Sequence, residues 1–171
     1  VTRVGIVGAE AAKFSVEGQW LARCAIREVL EAEHASLVVS GHCHLGGIDI
    51  WAIEEAEALG IPTQEYPPKR LSWELGYKPR NLQIVRASDL VVSITVQRLP
   101  EDFKSRWVFP QGCYHCKTPP EHHVKSGGCW TLKQAARAGR RTRLIVVPVP
   151  PGETPDTASE PGSEHTQAAL L

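Results

Sequence analysis

The chain alternates short apolar runs with longer stretches of helical spacing. Val4-Gly5-Ile6-Val7 is a β-branched run that ends at Gly8 and reads as a buried first strand. From Ser15, a suitable N-cap, the period changes. Trp20, Leu21, Cys24, Ile26, Val29 and Leu30 predict the apolar face of a first helix. Ser36-Leu37-Val38-Val39-Ser40 predicts a second strand cut off by Gly41, and residues 49–59 a second helix stopped by Gly60. Residues 61–66 return as a strand closed by Pro67-Pro68. A short helix over 80–88 leads into a fourth strand at 90–94. Residues 99–125 show no periodicity; a helix over 130–138 then stops at Gly139, and 144–148 is the fifth strand.

Strands alternating with helices imply an α/β fold with a parallel sheet covered on both faces, joined by right-handed crossovers. The expectation is one Rossmann-like domain over 1–148. It is a three-layer sandwich with a mainly parallel sheet of five strands or slightly more, and residues 99–125 form a Cys/His-rich loop insertion. Residues 149–171 are rich in Pro, Gly, Ser, Thr and Glu and read as a disordered tail.

In an open parallel sheet, ligands sit beyond the C-terminal ends of the strands. That rule singles out the loop after strand one (8–14), the loop after strand two (40–49), and Ser126-Gly127-Gly128-Cys129-Trp130-Thr131 before the last helix. Glycine lets a backbone approach a ligand closely, and a helix start offers free N–H groups to an anion. The expected ligand-binding set is Gly8, Ser40, Gly41, Gly46, Gly47, Asp49, Arg80, Asn81, Ser126, Gly127, Gly128 and Thr131. One glycine pair also serves an ordinary strand-to-helix turn; two pairs at one sheet edge say more. Asp49 reads as a helix cap or as a partner for a ribose hydroxyl. Trp51 and Trp130 follow these loops and suit core packing or stacking on a base, while Trp73, Tyr77 and Lys78 suit a cover over the ligand.

These residues resemble the SLOG superfamily, named for Smf-type DNA-processing proteins and the lonely-guy phosphoribohydrolases. The resemblance is carried by Val38-Val39-Ser40-Gly41, Leu45-Gly46-Gly47-Ile48-Asp49 with Ala52 and Ala56, and Gly60-Ile61-Pro62. Arg80-Asn81, Ser88-Asp89 and Ser126-Gly127-Gly128 extend it, so that it spans residues 3–148 and is strongest toward small bacterial and phage members. It implies a Rossmann-like fold that binds nucleotides or nucleotide-derived ligands, and a homodimer. The phosphoribohydrolases carry Gly-Gly-x-Gly-Thr-x-x-Glu, whose glutamate works with an arginine at the ribosyl bond. Arg80 matches that arginine, but Trp130 stands at the next glycine of the motif and Gln134 at the glutamate. A glutamine cannot take up a proton as a carboxylate does. Catalysis would then rest on Arg80 with a carboxylate from Asp49 or Glu10.

Cys113-Tyr114-His115-Cys116 is followed by His122-His123 and then Cys129. A Cys-x-x-Cys knuckle brings two thiolates to one tetrahedral ion, and zinc accepts mixed nitrogen and sulfur ligands. Cys113, Cys116, His122 and His123, with Cys43 from the loop after strand two, form the expected metal set, in a structural role. Five cysteines, an odd number, argue against a disulfide framework.

Nineteen basic and nineteen acidic residues leave no net charge, which argues against a dedicated nucleic-acid binder. No apolar run approaches the ~18–20 residues of a membrane span. The first eight residues lack the features of a signal peptide, so a cytoplasmic protein with no membrane partner is expected. Three functions stay open: a nucleotide sensor or binding module, an enzyme (hydrolase or transferase) at the N-glycosidic bond of a nucleoside monophosphate, and an accessory protein for single-stranded DNA. The first uses the most residues.

Overall fold

A computed structural model describes residues 1–104, 112–119 and 122–148. The expected tail, 149–171, lies outside the described residues, as do 105–111 and 120–121 of the expected insertion. Five parallel strands form one sheet in the order β3-β2-β1-β4-β5. They are β1 (Thr2–Gly8), β2 (Ala35–Ser40), β3 (Thr63–Glu65), β4 (Leu90–Val96) and β5 (Arg141–Val147). Among the described residues the α-helices are α1 (Val16–Ala32), α2 (Ile48–Ala58), α3 (Lys78–Ala87) and α4 (Gly127–Arg137).

Both faces of the sheet are apolar, because each central strand places hydrophobic side chains on alternate sides. Val4, Ile6, Val38, Leu90, Val92 and Ile94 pack with Ile26, Val29 and Leu30 of α1 and Ile48, Ala52 and Ala56 of α2. Val7, Val39 and Val91 pack instead with Ile84 and Val85 of α3 and Ala135 of α4. The sandwich therefore has three layers, as the alternation of elements predicts. β1 pairs with β2 on one side and β4 on the other. Chain order reverses between β1 and β4, which makes their C-terminal ends the switch point of the sheet.

Ser15 caps α1 as expected, its Oγ accepting from the Gly18 amide at 3.1 Å. The apolar face differs from the sequence reading: Ala22, Ile26, Val29 and Leu30 are buried, whereas Trp20 is 63% exposed. At 100° per residue, Trp20 lies half a turn from Val29, so the helical period itself places it opposite the buried stripe. Replacing Trp20 by Lys should change unfolding free energy by no more than about 0.5 kcal/mol, measurable by urea denaturation. β5 begins at Arg141, earlier than the apolar residues suggest. It is an edge strand whose first three residues are exposed, so polar side chains are tolerated there.

α2 packs beside α1 on the same face of the sheet and is apolar on most sides, yet it carries Glu55, which is 6% exposed. Arg23 Nη1 donates to Glu55 Oε1 at 3.0 Å, and Arg27 Nε donates to Oε2 at 3.0 Å. Burial pushes the Glu55 carboxyl up, but hydrogen bonds and charge from Arg27 and Arg23 outweigh it and hold it below the usual range. A depressed folded-state value means that this contribution is complete above the unfolded value, about 4.3. It is lost as pH falls through the folded value. Glu55→Gln should cost about 1–2 kcal/mol at neutral pH and almost nothing in strong acid. Chemical denaturation of both proteins across pH checks this.

Candidate functional site

Three loops converge at the switch point because small residues let them. Gly47, the N-cap of α2, has φ of 85°, a conformation that favours glycine. A Cβ there would stand 2.4 Å from the Ala9 carbonyl oxygen. The Ile48 amide donates to that same oxygen at 3.1 Å, so the start of α2 is latched onto the loop after β1. A Cβ at Gly128 would stand 2.2 Å from Ser93 Oγ and 3.1 Å from Gly8 Cα, so the start of α4 rests directly on the ends of β1 and β4. Both glycine-paired loops thus sit at one end of the sheet, around a single cavity of about 660 Å³.

The cavity floor holds a buried ion pair. Arg80 Nη1 donates to Asp49 Oδ2 at 2.7 Å, and the two side chains are 8% and 5% exposed. Burial pushes the Asp49 carboxyl up, with Arg80 and the Gly8 amide pulling against the shift. Arg80 Nε is buried with no hydrogen-bond partner among the described residues, and so is Asn81 Oδ1 beside it. Asn81 Nδ2 donates to Thr131 Oγ1 at 2.9 Å, tying α3 to α4.

The walls add charge of both signs. Glu10, Asp49 and Glu74 face Lys13, Lys78, Arg80 and Lys125. Lys13 lies 3.9 Å from Glu10, and Lys78 donates to Glu74 at 2.9 Å. Burial lowers the Lys13 ammonium, Glu10 opposes the shift, and Lys125 adds to it. Lys125 stands 4.9 Å from the centre of the Tyr114 ring. At the start of α4 the Ser126 side chain makes no capping hydrogen bond, and Gly127 and Gly128 of the first turn line the cavity. Trp73 meets Trp130 edge to face, with ring centres 5.2 Å apart, at the rim.

Behind this wall, Cys113, Cys116, His123 and Cys129 bring one ligand atom each to within 4.8 Å of one another. Cys113 and Thr118 form an antiparallel bridge, which folds the Cys-x-x-Cys segment into a tight turn with Lys117 at φ 56°. The Val124 amide donates to the Val96 carbonyl at 2.8 Å, returning the insertion to the end of β4. His123 is fully buried, with Nε2 3.6 Å from Cys129 Sγ. Its Nδ1 faces His122 Nδ1 at 2.6 Å and Thr118 Oγ1 at 3.5 Å. A proton held on Nδ1 leaves the Nε2 lone pair for a metal. Burial, with Cys129 and Cys113 nearby, pushes the Cys116 thiol up to about 12. Tetrahedral zinc–thiolate bonds of about 2.3 Å place sulfurs about 3.8 Å apart, so the four donors fit such an ion after small side-chain movements.

Of the residues expected from sequence, Gly8, Gly46, Asp49, Arg80, Asn81, Ser126, Gly127 and Gly128 line the cavity. Gly41, Gly47, Ser40 and Thr131 lie behind it. The Ser40 hydroxyl donates within reach of the Ile6 and Asp49 carbonyls at 3.1 and 2.9 Å, and Thr131 donates to the Gly127 carbonyl at 3.0 Å. Asp49 sits in the first turn of α2 beyond its Gly47 cap and spends its carboxylate on Arg80. Trp51 packs edge to face on Phe14, 5.0 Å away, in the core. Cys43 lines the cavity outside the four-donor cluster, and His122 is exposed beside it. Cys129 takes the fourth place. Its position in the first turn of a helix that starts at the sheet edge was the available signal.

No protein-family model matches the chain. No curated protein sequence matches it. Among solved structures it is similar to the Moco Carrier Protein from Chlamydomonas reinhardtii. Sequence identity is 16%, the TM-score is 0.50, and the match covers 87% of this chain and 78% of that one. The likeness is one of fold. It agrees with the Rossmann-like architecture, while the finer SLOG resemblance rests on motifs alone. No helix among the described residues is long and apolar enough to cross a membrane.

Proposed function

We propose that this protein binds a nucleotide or nucleotide derivative through its phosphate at the switch-point cavity, with zinc as a structural ion at Cys113, Cys116, His123 and Cys129. One observation carries the reading: the uncapped start of α4 lines the same cavity as Arg80, whose buried Nε has no hydrogen-bond partner among the described residues. Helix N–H groups and a guanidinium are the donors that phosphate oxygens require. Lys125 adds a cation at the wall, and Trp73 and Trp130 offer an aromatic rim for a base. The solved structure of similar fold is that of a Moco carrier protein, which fits a binding role for this cavity.

A hydrolytic reading has one observation in its favour. Glu10 lines the cavity, whereas Gln134 does not. Release of free base from a nucleoside monophosphate, lost in Glu10→Gln, would support it. The binding reading is tested by thermal unfolding with inorganic phosphate and the ribonucleoside mono-, di- and triphosphates. A ligand at a hundred times its Kd stabilises by about 2.7 kcal/mol, or roughly 5–11 °C for a chain of this size. No shift with any of these compounds would refute it.

A further inference from the structure

The metal cluster and the cavity share their covalent framework. Tyr114 and His115, the residues between Cys113 and Cys116, line the cavity. So do Lys125, Ser126, Gly127 and Gly128, which lie between His123 and Cys129. Every donor of the cluster therefore flanks a piece of the same wall. The cluster holds three buried or half-buried thiols and no cationic side chain among its donors. Without an ion, the turn at 113–116 meets the first turn of α4 through weak thiol hydrogen bonds of Cys113 and Cys116 with Cys129.

We infer that metal loading at this cluster controls ligand binding: the ion clamps the 113–116 turn to the first turn of α4 and so assembles one wall of the cavity. The inference rests on the binding reading above and adds its regulation. An ion joining Cys113 and Cys116 to Cys129 fixes Tyr114 and the Lys125 ammonium above it relative to the Gly127 and Gly128 amides. Phosphate donors preset in this way lose less freedom on binding. Releasing the ion separates the donors without touching Arg80, so affinity falls and the fold of the sheet persists.

The test uses the intact chain, with the four ribonucleoside monophosphates as probes. Equilibrium dialysis compares zinc-loaded protein with protein stripped by a chelator, and circular dichroism confirms that both remain folded. At least about tenfold tighter binding to the zinc form is expected, within the range usual for coupled sites. Linkage requires the same factor in reverse, so each bound nucleotide should raise zinc affinity equally. That second arm, read by chelator competition on wild-type protein, stands even if the stripped chain unfolds. Lys125→Ala keeps all four metal ligands and should hold zinc normally, with a smaller nucleotide-dependent gain. Zinc bound tightly and nucleotide bound equally by both forms would overturn the coupling and leave the binding reading intact. Nucleotide bound by neither form would overturn both.

Discussion

Stripping zinc should lower the thermal unfolding midpoint by roughly 10 °C. An ion present at a thousand times its Kd stabilises the state it binds by about 4.1 kcal/mol. For a chain of this size, each kcal/mol is worth about 2–4 °C. The loss should concentrate in residues 112–126. Among its described residues, Val124 ties that segment to the end of β4: its amide is bonded to the Val96 carbonyl, and its carbonyl accepts from Thr95 Oγ1 at 2.7 Å. Cys129→Ser and Cys113→Ser should each reproduce the chelator's effect and bind less than one zinc per chain by elemental analysis. His122→Ala should not, because its ring lies outside the donor set. A midpoint unchanged by chelator, with full metal removal verified, would exclude a structural ion.

Arg80→Lys should weaken phosphate-ligand binding by about 10–100-fold, the worth of one charge-assisted hydrogen bond of about 1.5–3 kcal/mol. The lysine retains a positive charge for Asp49 but has no counterpart of Nε. Arg80→Ala is the wrong experiment. It would leave the Asp49 carboxylate buried and unpaired, a loss of about 3–5 kcal/mol that would confuse binding with folding. Titration calorimetry on the lysine variant, with circular dichroism to confirm the fold, separates the two. Equal affinity in wild type and Arg80→Lys would remove Arg80 from the binding surface.

The layout of strands and helices was legible from the sequence because it depends on local period. β1, β2 and β4 are apolar runs on both faces, α1 has an apolar stripe, and glycines mark where strands turn into helices. The same logic placed the cavity, since an open parallel sheet leaves a crevice beyond the C-terminal ends of its strands where the strand order reverses. Only the tertiary structure decided partners. Nothing local pairs Asp49 with Arg80, 31 positions apart, or brings Cys129 rather than Cys43 into the cluster with Cys113, Cys116 and His123. Such choices follow from how long crossovers and an aperiodic insertion bring distant side chains together. Spacing rules describe neighbours along one element, and these contacts run between elements.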